Sequence, residues 1–136
     1  MICDVYDDIF DARYLHEFFD NVIAMAGYNI TNIANRKTQP YGIDGTCHVD
    51  AEYNDEFTIL VMTNPEWKKE WGPASFQLLE KYDNNARVIE EHEYVPGRVL
   101  VIPSVHPHRG IAPTQPYIYR SSIVFRVTPN FGRYIP

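Results

Sequence analysis

At 136 residues, 45% of them hydrophobic and 22% charged, the chain has the size and composition of one globular domain with a single sizeable core. A formal charge of −6 argues against a nucleic-acid surface, which needs a basic stripe to follow phosphates. No apolar run approaches the length of a membrane span, and two cysteines, Cys3 and Cys47, are too few for a disulfide framework.

The opening MICDVYDD is acidic and lacks the apolar run of a secretion signal, so a cytoplasmic protein is expected. Within it, ICDVY reads as a short strand. Asp11 then stands where an N-cap belongs, and Leu15, Phe18, Phe19, Val22, Ile23 and Ala26 follow at helical spacing, with Gly27 as the stop. This helix has one apolar face and should cover the back of a sheet.

The remainder reads as β structure, in keeping with ten tyrosines and 14% aromatic residues. The strands expected are NITNIANR, FTILVMT, SFQLLEK, ARVIEEHEY, PGRVLVIP and YIYRSSIVFRV. Between them lie loops rich in Pro, Gly, Asn and Asp: QPYGIDG, NPEWKKEWGP, YDNN and HPHRGIAPTQP. With no repeat and no linker, this is one β-rich domain over 1–136, a barrel or sandwich with one helix outside.

The segment GTCHVDAEY sets His48 and Asp50 two apart, so both point to one face if the backbone is extended. Five histidines and 18 acidic residues in 136 positions produce about 0.7 such pairs by chance, so the pair needs a context. PSVHPHRG supplies a third ligand, His106 or His108. Two imidazoles and a carboxylate on one side of a metal leave the opposite positions open, an arrangement suited to non-heme Fe(II). Downstream, Arg120 and Ser122 share a strand face and make a fork for a carboxylate. An arginine on so apolar a strand is costly to bury unless a carboxylate meets it.

The order H-x-D, a distal His after PGRVLVIPS, then Arg-x-Ser resembles the 2-oxoglutarate- and Fe(II)-dependent dioxygenases, above all their short prolyl-4-hydroxylase-like branch in bacteria and phages. FTILVMTNPEWKKEWGPASF is similar to that branch's strand, tryptophan loop and W-G-G segment, with WGP here. VYDDIFDARYLHEFFDNVI is similar to its N-terminal strand and helix. The resemblance covers most of the chain and implies a mainly β fold, the double-stranded β-helix or jelly-roll, with the metal between two sheets. It implies Fe(II), 2-oxoglutarate as co-substrate, O2, and hydroxylation of a small-molecule or peptide substrate such as peptidyl or free proline. On it, His48, Asp50 and His108 are the metal ligands, His108 rather than His106 because HRGIAP resembles the family's H-x-G-x-x-P. Arg120 pairs with the co-substrate's distal carboxylate, assisted by Ser122 or a neighbouring tyrosine. Apart from the resemblance, Thr58 lies on the strand after H-x-D and is expected to reach the co-substrate.

Plainer readings stand beside these. Cys47 reads as a small core thiol, His16 and His92 as solvated side chains, and Trp67 and Trp71 as either a substrate groove or a cap on the sheet edge. The rival functions are a cupin-like module holding a metal or small acid, a zinc hydrolase using the same ligands, and a jelly-roll without activity. Neither a cupin-like module nor a hydrolase has a use for Arg120. The sequence carries no sign of the oligomeric state.

Overall fold

The computed structural model describes residues 2–4, 28–51 and 56–129. Its strands, in chain order, are β1 (Ile2–Asp4), β2 (Tyr28–Pro40), β3 (Phe57–Met62), β4 (Phe76–Leu79), β5 (Val88–His92), β6 (Arg98–Pro103), β7 (His108–Gly110) and β8 (Tyr119–Pro129). One turn of 3-10 helix occupies Lys69–Trp71. The amphipathic helix expected over 11–26, with His16, lies outside the described residues.

The strands build two antiparallel sheets, a five-stranded one ordered β1-β6-β3-β8-β2 and a three-stranded one ordered β5-β4-β7. From β3 onward the chain crosses between sheets at β3–β4, β5–β6, β6–β7 and β7–β8. Those crossings make a jelly-roll, mainly β as the composition implied. Alternation along the strands sorts the core. Leu60, Met62, Leu100 and Ile102 of the large sheet meet Phe76 and Leu78 of the small one. Ile59, Val61, Val99, Ile123, Phe125 and Val127 cluster on the large sheet's other face. Both faces are thus buried, which is why FTILVM is an unbroken apolar run. Each such side chain contributes about 1.5–3 kcal/mol by leaving water.

The Pro96-Gly97 signal becomes a tight turn into β6. Arg98 N–H closes on Val95 O at 2.9 Å, and Gly97 has the positive φ of 81° that a type II turn needs. Two strands differ from their expected extents. β7 falls inside HPHRGIAPTQP, read as loop, because three residues after Pro107 are too few to show a period. It is a strand through its partners: Phe76 pairs with Gly110 and Leu78 with His108. β2 runs on to Pro40, held along the long β8, and its register shifts at Ile30/Asn32 and Ala34/Lys37 blur the alternation that would have revealed it.

Candidate functional site

His48 bridges His108 in antiparallel fashion, with His48 N–H to His108 O at 3.0 Å and His108 N–H to His48 O at 2.9 Å. This bridge sets the H-x-D segment along the outer edge of β7. Asp50 N–H donates to Ser104 O at 2.7 Å, tying the segment's far end to the exit of β6. His48, Asp50 and His108 are therefore brought together by pairing between segments nearly sixty residues apart. One ligand-type atom from each lies within 4.8 Å of the others.

The orientation of both imidazoles is settled by hydrogen bonding. His48 Nδ1 faces Thr46 O at 2.9 Å, and His108 Nδ1 faces His106 O at 2.7 Å. A carbonyl oxygen only accepts, so both Nδ1 atoms carry the proton and both Nε2 atoms turn to Asp50. His48 Nε2 stands 3.6 Å from Asp50 Oδ1 and His108 Nε2 3.3 Å from Oδ2. In neutral imidazoles these are lone pairs directed at a carboxylate, an arrangement that requires a proton or a cation between them. Adjacent donors about 2.1 Å from one ion stand roughly 3 Å apart, close to the spacing found. Phe76 stacks on the His108 ring at 5.2 Å and helps bury it, while His48 is half-exposed.

Thr58 Oγ1–H donates to Asp50 Oδ2 at 2.8 Å, and the buried Ser104 hydroxyl lies 2.8 Å from Thr58 Oγ1. Burial pushes the Asp50 carboxyl upward in pKa. The hydrogen bond and charge of His108, with smaller help from Thr58 and His48, outweigh it and hold the group at about 2. Asp50 is a carboxylate throughout the physiological range.

His48, Asp50, Thr58, His108, Arg120 and Ser122 all line one cavity of about 330 Å³, the scale of a small-molecule site. Arg120 is 5% exposed. Its Nη1 donates to Gln39 Oε1 at 2.8 Å, but Nε and Nη2 are buried with no acceptor. Burial pulls the guanidinium down to about 10, still cationic at neutral pH, and the Tyr94 ring lies 5.7 Å from it. Two orphaned nitrogens on a buried cation, with three N–H groups between them, call for an anion. Ser122, two residues along β8, is buried on the same face.

His106 contributes its carbonyl to this arrangement while its ring stays outside the cluster. Cys47 is buried, as read, with its thiol 3.8 Å from Lys81 O. His92 is partly buried and paired with Glu90 at 2.8 Å, so it is less solvated than expected. Trp67 packs on Tyr94 and Trp71, and its Nε1–H donates to Gly72 O at 2.8 Å. Neither tryptophan lines this cavity; Trp67 lines a separate groove with Tyr94 and Pro96.

Three participants were not anticipated. Gln39 grips Arg120; Ser104 supports Thr58 and Asp50; Tyr94 underlies Arg120 and is anchored by Asn64, whose N–H donates to the Tyr94 hydroxyl at 2.8 Å. Burial first of all raises the Tyr94 phenol to about 12, so it stays protonated. Gln39 is 81 residues from its partner and left no hint in the sequence.

No family model matches the chain, and comparison with curated proteins finds no match. Solved structures do match. A prolyl hydroxylase from Trichoplax adhaerens, in complex with a hypoxia inducible factor oxygen degradation domain peptide fragment, superposes with a TM-score of 0.63 at 20% identity, over 99% of this chain and 66% of that one. A Pseudomonas putida prolyl-4-hydroxylase superposes with a TM-score of 0.63 at 14% identity, over 94% of this chain and 71% of that one. The chain thus spans about two-thirds of the length of the first, and what it shares with both is the jelly-roll fold found in prolyl hydroxylases.

Proposed function

We propose that the chain, as one domain over 1–136, is an Fe(II)- and 2-oxoglutarate-dependent dioxygenase that hydroxylates a peptidyl or free prolyl substrate. The observation that carries this reading is the pairing, in one cavity, of a His48–Asp50–His108 cluster with a buried cation whose N–H groups lack acceptors. A metal-holding module or a hydrolase needs the first and has no use for the second. The donor set fits iron: two neutral imidazoles and one carboxylate, held from one side.

On this reading His48 Nε2, His108 Nε2 and Asp50 hold the metal, and Arg120 with Ser122 holds the distal carboxylate of 2-oxoglutarate. Iron and co-substrate, when bound, supply dioxygen activation coupled to oxidative decarboxylation. The chain's own residues do the positioning. The carbonyls of Thr46 and His106 lock both imidazoles in the metal-binding tautomer. Thr58, expected on the co-substrate, has its proton on Asp50 and is assigned here to holding the carboxylate's second oxygen. Leu60, Phe76 and Val124 line the cavity with apolar surface and limit water.

A peptidyl substrate is supported by the cavity's surroundings. Ile43, on its lining, is 65% exposed beside Pro40, an apolar margin on which a chain can rest. A cytoplasmic location is kept as part of the proposal; no helix among the described residues is long and apolar enough to cross a membrane.

The test is anaerobic titration of the Fe(II)-loaded protein with 2-oxoglutarate, following the visible charge-transfer band of the chelate. A band that Arg120→Ala shifts to higher co-substrate concentration supports the proposal. Iron binding without a band eliminates it in favour of a metal-binding jelly-roll.

A further inference from the structure

Gln39 stands directly opposite Arg120 in the β2–β8 ladder, so the two side chains rise from the same face. Its Nε2 donates to Ile43 O and to Gly110 O, both at 2.9 Å, and its Oε1 accepts from Arg120 Nη1 at 2.8 Å. Both Nε2 hydrogens are taken by carbonyls that can only accept. The amide therefore has one possible orientation, with its oxygen on the guanidinium. Through these three bonds a single side chain joins Arg120 on β8, the strand bearing His108, and the 41–45 segment that closes one side of the cavity.

We propose that Gln39 is a positioning residue that fixes the Arg120 guanidinium while leaving its charge uncancelled, and so sets the site's preference for a ligand with a distal carboxylate. This rests on the dioxygenase reading and extends it. A buried arginine is ordinarily held by Asp or Glu, which neutralises it. Here an amide does the holding, and among the described residues no carboxylate pairs with Arg120. The positive charge stays available to an incoming anion. Glutamate at position 39 could not serve. It would offer two acceptors where Ile43 O and Gly110 O need a donor, and it would itself occupy the cation.

The full chain, loaded with Ni(II) as a redox-silent stand-in, is titrated calorimetrically with 2-oxoglutarate and with 2-oxobutyrate, which has the same chelating end and no distal carboxylate. Wild type should prefer 2-oxoglutarate. Gln39→Glu should weaken 2-oxoglutarate by about tenfold or more, the scale of a lost charge-assisted bond, while 2-oxobutyrate and Ni(II) bind as in wild type. Gln39→Leu, which removes the bridge without adding charge, should fall between, and it carries the test if the glutamate variant does not fold. Equal weakening of both keto acids would mean general damage and would overturn the proposal, as would an unchanged preference. A wild type that does not discriminate the two acids brings down the Arg120 anchor itself; discrimination that survives in both variants brings down only the role of Gln39.

Discussion

Gly110 gives the sharpest test of how the anion end of the cavity is built. A methyl group placed on it would lie 2.4 Å from Arg120 Nη1, 2.9 Å from Gln39 Oε1 and 3.2 Å from Arg120 Cζ, where ordinary contact starts at 3.4 Å. The guanidinium must therefore retreat by about 1 Å, and in doing so it leaves Gln39. The backbone itself raises no objection. Gly110 is outside the left-handed region, so alanine there lowers unfolded-state entropy and would favour the fold by about 0.4–1 kcal/mol if the space were open. Loss of the charge-assisted bond to Gln39 opposes this with about 1.5–3 kcal/mol.

Net stability should thus fall by about 0.5–2.5 kcal/mol, and the co-substrate should suffer as well. A displacement of about 1 Å in an anchoring group lowers 2-oxoglutarate affinity by about 10–100-fold. Fe(II) affinity should hold, because the His108 ring is fixed by His106 O and Phe76, away from the new methyl. The assay is anaerobic titration with each ligand in turn, alongside urea unfolding. Gly110→Ala binding 2-oxoglutarate like wild type would refute the reasoning, since it would show that neither the position of Arg120 nor its bond to Gln39 matters to the anion.

Both His48→Ala and His108→Ala should abolish stoichiometric Fe(II) binding, while His106→Ala, which keeps the carbonyl that holds His108, should retain it; equilibrium dialysis decides. Thr58→Val removes the only hydroxyl on Asp50 Oδ2 among the described residues and should lower metal affinity about tenfold in competition with a chelator. Tyr94→Phe leaves Asn64 N–H without its acceptor and should destabilise the fold by about 1–2 kcal/mol in urea, yet leave 2-oxoglutarate affinity intact because the ring beneath Arg120 is kept. Stripping the metal with a chelator should lower 2-oxoglutarate affinity well beyond tenfold (roughly; one lost counter-charge in a buried site), measured by calorimetry.

What the sequence made legible follows a physical boundary. His48 and Asp50 could be paired because strand geometry puts i and i+2 on one face, a local rule. Arg120 could be singled out because a guanidinium on an apolar strand is costly to bury without an anion. The helix at 11–26 also had a local signature, though it falls outside the described residues. What was not legible depends on register between distant segments. Gln39 meets Arg120 only because β2 extends past its readable alternation to Pro40, across two register shifts. β7 exists only because β4 and His48 flank three residues that have no period of their own. The preference for His108 over His106 required a family resemblance; in the structure, with Pro107 between them, His106 lends its carbonyl to the ring of His108.

Charge accounting joins the two ends of the cavity. Asp50 brings one negative charge to one end, and Arg120 brings one positive charge held by a neutral amide at the other. A divalent metal and a dianion added together leave that sum unchanged, whereas either alone leaves a buried excess, which is expensive in so apolar a lining. Without the metal, the chelating end of a dianion faces the Asp50 carboxylate and two lone pairs; with it, the same end meets a cation while Arg120 takes the other. The neutrality of Gln39 is what keeps the account balanced, for a carboxylate there would satisfy Arg120 in advance and leave the dianion with no counter-charge. On the proposed reading, metal and co-substrate would be coupled through the electrostatics of this cavity, and the polar side chains nearest each of them are the ones whose charge that coupling requires.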